Sequence, residues 1–146
     1  MQNNQSITFV IFGGTGDLAK NKIFPALLDL KIKKLLPNNY KIVGFSRKDL
    51  SDTDYRDFVS NAIDKLSNNY NTDDISNFLN SIHYVQGDIK DVDTYDDLNF
   101  HLKKQDDQIG QCSNKIFYLA VPPNLYEPVF DNLSKADLIL PCRSNS

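Results

Sequence analysis

The stretch ITFVIFGGTGDLAK, residues 7–20, restricts this chain more than any other part of it. Apolar, β-branched and aromatic residues run without interruption from Ile7 to Phe12, the mark of a strand covered on both faces. The run halts at Gly13 and Gly14, a third glycine follows at Gly16, and a helical pattern opens near Asp17. A buried strand that turns directly into a helix predicts a crossover unit, and hence a parallel sheet.

The rest of the chain repeats this alternation. A helix is predicted over 17–36, with Leu18, Ile23, Leu27, Leu28, Leu30 and Leu35 apolar. Pro25 then marks a kink or the first turn of a second helical piece. KIVGFS (41–46) reads as the second strand. Ser51 and Asp54 resemble a capping box, and Tyr55, Phe58, Val59, Ala62, Ile63 and Leu66 fall on one helical face. Thr72 caps a shorter helix using Ile75, Phe78 and Leu79. IHYVQG (82–87) is the third strand, followed by a polar helix over 92–104. KIFYLAV (115–121) is a fourth, buried-type strand, and a helix over about 126–136 completes the pattern. The Asn/Asp/Lys-rich stretches 67–80 and 103–114 read as solvated loops or helix faces. Strands alternating with helices give an α/β class: a Rossmann-like doubly wound parallel sheet with helices on both faces. Its ligand site lies at the carboxyl ends of the strands.

Composition excludes several other classes. A chain of 146 residues fits one domain, and a net charge of −3 provides no basic field for nucleic acid. The FVIF run is too short to cross a membrane, and MQNNQS ahead of it carries no basic residue. Two cysteines, Cys112 and Cys142, are too few for a disulfide framework and point to a reducing compartment. A cytoplasmic protein is expected, with no metal centre.

The glycines carry the chemistry. Two registers are open, Gly14-x-Gly16-x-x-Ala19 and Gly13-x-x-Gly16-x-x-Ala19. In either, the first glycine permits the tight turn and Gly16 lets backbone N–H groups approach a pyrophosphate. Ala19 keeps the helix close to the sheet. The opening of the helix adds unpaired donors and partial positive charge. Ser46, Arg47 and Lys48 stand at the tip of strand two, where a carboxylate would select a free ribose 2′-hydroxyl. Arg47 suits a 2′-phosphate instead, which favours NADP over NAD; Asp49 is the acidic rival nearby. Lys20 and Lys22 stand just inside the helix, as further phosphate donors or as solvated side chains.

The segments GGTGDLAKNKIFPAL, IVGFSRKDL and IFYLAVPPNLYEPV, in that order, resemble the N-terminal coenzyme domain of the glucose-6-phosphate dehydrogenase family. The family's turn, Gly-Ala-Ser-Gly-Asp-Leu-Ala-Lys, corresponds to residues 13–20. Its Leu-Ala-x-Pro-Pro run corresponds to Leu119, Ala120, Val121, Pro122 and Pro123. The resemblance implies that Gly13, Gly14, Thr15, Gly16, Asp17, Leu18, Ala19 and Lys20 cradle the pyrophosphate of NADP. It also implies that Arg47 holds the 2′-phosphate and that Tyr126 lies near the coenzyme. Two prolines directly after a buried strand stiffen the crossing and suit a flat ring.

The resemblance covers residues 7–136, taken as the NADP-binding domain 1–136, and DLILPCRSNS (137–146) reads as an atypical or truncated tail. The family's Glu-Lys-Pro-Phe-Gly and Asp-His-Tyr-Leu-Gly-Lys segments are absent from the sequence. His83 and His101 read as structural or surface residues, so no catalytic residue is assigned. The chain is expected to bind NADP but not to oxidise glucose 6-phosphate alone. Glucose 6-phosphate and a homo-oligomeric partner belong to the full-length enzyme. One alternative is a short-chain or atypical reductase, whose GGTGxxG turn and Gly-Asp pair resemble GGTGDLA and Gly87-Asp88. Its Tyr-x-x-x-Lys pair is missing, because Phe130 follows Tyr126 and Pro122 follows Tyr118 at that spacing. The other is a non-enzymatic module that senses NADP or pairs with another chain.

Overall fold

Four strands form the sheet of the computed structural model, which describes residues 5–139 and 142. They are β1 (Ile7–Phe12), β2 (Tyr40–Ser46), β3 (Ile82–Gln86) and β4 (Asn114–Leu119). All pair in parallel, in the order β3-β2-β1-β4. The chain therefore steps outward on one side of β1 and then on the other. The doubly wound order is the one expected, and it creates a switch point beside β1.

Strand alternation divides the core into two layers. Phe9, Ile11, Ile42 and Tyr84 pack beneath α1 (Phe24–Ile32), α2 (Asp52–Ala62) and α4 (Thr72–Asn80). Val10, Phe12, Val43, Phe45 and Val85 pack against α5 (Val92–Ile109) and α6 (Tyr126–Lys135). Phe24, Leu27 and Leu28 are almost wholly shielded, and burying each contributes roughly 1.5–3 kcal/mol.

The helix that opens at residue 17 contains a π-helical turn at Ala19–Ile23 before α1 begins. Pro25, in the first turn of α1, has no N–H for an i→i−4 bond, and the N–H of Phe24 instead reaches the carbonyl of Ala19. The helix ends at Ile32, four residues short of expectation. Lys34 turns the chain back at φ +60°, and the N–H of Leu35 closes on the carbonyl of Leu30 at 2.9 Å.

The capping box forms as read: Ser51 Oγ accepts the Asp54 N–H at 3.0 Å, and Asp54 Oδ2 accepts the Ser51 N–H at 3.2 Å. The helix it starts stops at Ala62, and a separate turn, α3 (Asp64–Ser67), carries Leu66. The cap of α4 is Asn71 rather than Thr72; its Oδ1 accepts the Asp73 N–H at 2.7 Å. Helix α5 runs five residues past expectation, to a left-handed Gly110 at φ +75°.

Two expectations are corrected. β4 is not buried on both faces: Ile116 is 41% exposed, and among the described residues β4 is an edge strand that pairs with β1 alone. The two cysteines are not free thiols. Cys112 and Cys142 form a disulfide, their Cα atoms 5.9 Å apart across 30 residues of sequence. Two cysteines make no framework, but one bridge needs only the proximity that the fold supplies. Of the tail 137–146, residues 140, 141 and 143–146 lie outside the described residues. Among those described, no helix is long and apolar enough to cross a membrane.

Candidate functional site

A cleft of about 460 Å³ opens at the carboxyl ends of the strands, between the turn after β1 and the loops after β2, β3 and β4. The turn after β1 is anchored before it reaches the cleft. Gly13 and Gly14 both donate their N–H to the carbonyl of Phe45, at 3.0 and 3.2 Å. Gly13 lies at φ +77°, and a Cβ there would stand 2.3 Å from the carbonyl oxygen of Ala120. Gly14 takes an ordinary conformation, but a Cβ there would stand 2.6 Å from the Tyr55 hydroxyl. Both registers read from the sequence therefore hold part of the truth: one glycine supplies a conformation, the next supplies space.

Gly16 differs from both. A Cβ there would meet only the Gly13 carbonyl, at 3.3 Å, so the space beside it belongs to the cleft. The first helical bond runs from the Lys20 N–H to the Gly16 carbonyl at 3.0 Å. The N–H groups of residues 17–19 thus have no carbonyl earlier in the helix to bond, the condition that suits an anion.

Of the residues read as candidates, Gly13, Thr15, Gly16 and Arg47 line the cleft. Gly14 is buried beneath the turn, and Ala19 is fully buried against the sheet, where its small side chain lets the helix approach. Asp17, Leu18 and Lys20 occupy the exposed start of the helix, outside the lining. Tyr126 opens α6, one residue beyond the lining residue Leu125. Asp49 does not line the cleft.

Arg47 is exposed and makes no ion pair with a carboxylate of the described residues. Lys48 lines the cleft beside it, and Lys90 enters from the loop after β3. Gly87, Asp88, Ile89 and Lys90 form a wall of the cleft, of which the sequence singled out only the Gly87-Asp88 pair. Asp88 is a turn residue, its Oδ1 accepting the Lys90 N–H at 2.9 Å, and it faces the cleft as well. The usable signal was strand order: with β3 beside β2, the loops after both strands must share one edge. Ala120, Val121, Pro122 and Leu125 close the opposite side with apolar surface.

Neither histidine reaches the cleft. His83 and His101 lie side by side with ring centroids 6.0 Å apart, and His83 Nδ1 is 3.2 Å from Asp52 Oδ2. Burial lowers the pKa of both rings, partly opposed in each case by Asp52.

A family model described as the NAD binding domain of glucose-6-phosphate dehydrogenase matches residues 10–145. Glucose-6-phosphate 1-dehydrogenase 2 of Mycobacterium bovis is 36% identical over 133 residues, 90% of this chain and 26% of that protein. The chloroplastic glucose-6-phosphate 1-dehydrogenase of Spinacia oleracea is 31% identical over 88% of this chain and 22% of its own length. Among solved structures, a glucose-6-phosphate dehydrogenase in complex with glucose 6-phosphate superposes with a TM-score of 0.84 at 28% identity. That match covers 93% of this chain and 28% of the solved one. The chain thus spans about a quarter of the length of these relatives.

Proposed function

The chain belongs to the glucose-6-phosphate dehydrogenase family, as its nucleotide-binding domain, and on that premise we propose that it holds NADP⁺ across the carboxyl ends of its strands. One observation carries the reading: a glycine turn and an arginine free of carboxylate partners among the described residues line the same cleft. The residues present fit the coenzyme. The turn from Gly13 to Gly16 and the helix opening at residue 17 offer backbone donors to the pyrophosphate. Arg47, with Lys48 and Lys90 beside it, offers cationic donors to the 2′-phosphate. The apolar wall from Ala120 to Leu125 suits the flat nicotinamide, with Tyr126 adjacent to it.

When bound, the coenzyme accepts a hydride. The chain's own residues hold and orient it. Neither histidine is placed to act as base for the sugar hydroxyl, because both lie outside the cleft. On this reading residues 1–146 bind NADP⁺ without oxidising glucose 6-phosphate. In a protein of the relatives' length the domain serves oxidation of that sugar to 6-phosphogluconolactone, with a cytoplasmic location and any self-association belonging to that longer protein.

Calorimetry of the chain with NADP⁺ and with NAD⁺ tests the proposal. NADP⁺ binds more tightly, and Arg47→Ala removes most of the difference, a loss of roughly 10- to 150-fold for a charge-assisted contact. Equal affinities in the unsubstituted chain overturn the Arg47 assignment. NADPH production that depends on glucose 6-phosphate overturns the claim that the chain lacks turnover.

A further inference from the structure

Tyr84 sits in the middle of β3, 7% exposed, paired in register with Gly44 of β2 and packed on the Tyr55 ring at 4.9 Å. Its hydroxyl lies beyond the edge of β2, among the backbone atoms of the loop that carries Arg47. It is 2.6 Å from the carbonyl oxygen of Lys48, 3.1 Å from that of Ser46 and 2.5 Å from Ser46 Oγ. Gln86, two residues along β3, donates from Nε2 to the carbonyl of Arg47 itself at 3.1 Å. The Gly87 N–H takes the Ser46 carbonyl at 2.8 Å. The carbonyls of Ser46, Arg47 and Lys48 are thus all tied to β3 or to the residue that follows it.

The hydroxyls also have a direction. Thr15 Oγ1 donates to Ser46 Oγ at 3.2 Å. Each hydroxyl carries one proton. With the Ser46 hydroxyl donating a hydrogen bond to the Tyr84 oxygen, the phenol is left to donate to the Lys48 carbonyl, its closest carbonyl. The series Thr15, Ser46, Tyr84, Lys48 then satisfies every member. It begins in the glycine turn and ends on the far side of Arg47. Burial raises the Tyr84 pKa, so the phenol keeps the proton that this direction requires.

Given the NADP⁺ reading above, on which this rests, we propose that Tyr84, supported by Gln86, is a positioning residue that sets coenzyme choice through Arg47. An exposed arginine on a free loop loses conformational freedom when it grips a phosphate. Fixing the three carbonyls around it removes part of that cost before the ligand arrives. The 2′-phosphate alone gains, since NAD⁺ has no group for Arg47 to grip.

Calorimetry with NADP⁺ and NAD⁺ on Tyr84→Phe, Gln86→Ala, Arg47→Ala and Tyr84→Phe/Arg47→Ala tests this. Tyr84→Phe keeps the ring and removes only the hydroxyl, and Gln86 is exposed, so the second variant does not disturb the core. Tyr84→Phe and Gln86→Ala are each expected to lower the NADP⁺ to NAD⁺ preference roughly three- to tenfold, less than Arg47→Ala does, with NAD⁺ affinity unchanged. In the Arg47→Ala background, Tyr84→Phe is expected to leave the ratio unmoved. A preference that survives both Tyr84→Phe and Gln86→Ala overturns the proposal while leaving the coenzyme reading intact. So does a parallel fall in both affinities, or an equal shift without Arg47. No preference in the unsubstituted chain overturns the coenzyme reading and this proposal with it.

Discussion

Tyr55 donates its phenolic proton to the carbonyl oxygen of Gly14 at 2.8 Å, with the whole side chain buried. A residue of α2 thereby holds the turn after β1 from below. Burial pushes the phenol pKa far up, so it stays a donor throughout the working range.

Removing that hydroxyl strands a buried carbonyl. Tyr55→Phe is expected to cost roughly 1–3 kcal/mol of stability by urea denaturation. NADP⁺ and NAD⁺ affinities should fall together, because the supported turn serves the pyrophosphate common to both. A change confined to NADP⁺ would contradict this role.

The glycines of the turn separate into two kinds. Gly13→Ala forces a left-handed conformation on alanine and drives its methyl into the Ala120 carbonyl, and is expected to cost at least about 2 kcal/mol. Gly16→Ala meets a single contact at 3.3 Å, so its melting temperature should stay close to that of the parent while nucleotide affinity drops. Calorimetric scans with and without NADP⁺ distinguish the two.

The histidine pair predicts the response to acid. Both rings have folded-state pKa values below the ordinary 6.5, so the unfolded chain binds protons at pH values where the folded chain does not. Stability is therefore full above about pH 6.5 and declines as pH falls from there toward the lowered folded values. Around the pair stand Asp52, Arg56, Lys41 and Lys104; only the carboxylate favours the charged rings. Urea midpoints measured from pH 8 to pH 5 should fall, and His101→Gln should flatten the decline.

The Cys112–Cys142 bridge predicts no titratable thiol in the unreduced chain. Reduction is expected to lower stability by roughly 2–4 kcal/mol, as when a cross-link of this span is removed. Thiol titration and denaturation with and without reductant check both statements. Nucleotide affinity should hold, because the bridge joins the start of β4, at the opposite end of the sheet from the cleft.

Where the physics is local, the sequence was readable. Ile7 to Phe12 could only be a covered strand, and Ser51 with Asp54 formed the box that their spacing implied. Boundaries set by tertiary context were not: Lys34 ends a helix from the left-handed region, and Gly110 ends α5 five residues late. In the lining of the candidate cleft, Thr15, Gly16 and Arg47 were legible because a motif spells them out. Lys90 was not, nor were the contacts of Tyr84 and Gln86 to the loop after β2, since these come from the neighbouring position of β3, which no short pattern encodes.

The wide turn at Ala19–Ile23 has a consequence for how the first helix can be altered. Ala19 and Phe24, five positions apart, are both fully buried, whereas an uninterrupted α-helix would place them about 140° apart around its axis. The extra residue therefore acts as a rotational clutch, and the end facing the cleft keeps its own angular setting relative to the end that fills the core. Deleting one residue between them would leave the two four positions apart, about 40° around a regular α-helix, so both ends would keep their faces and only the wide turn would be lost.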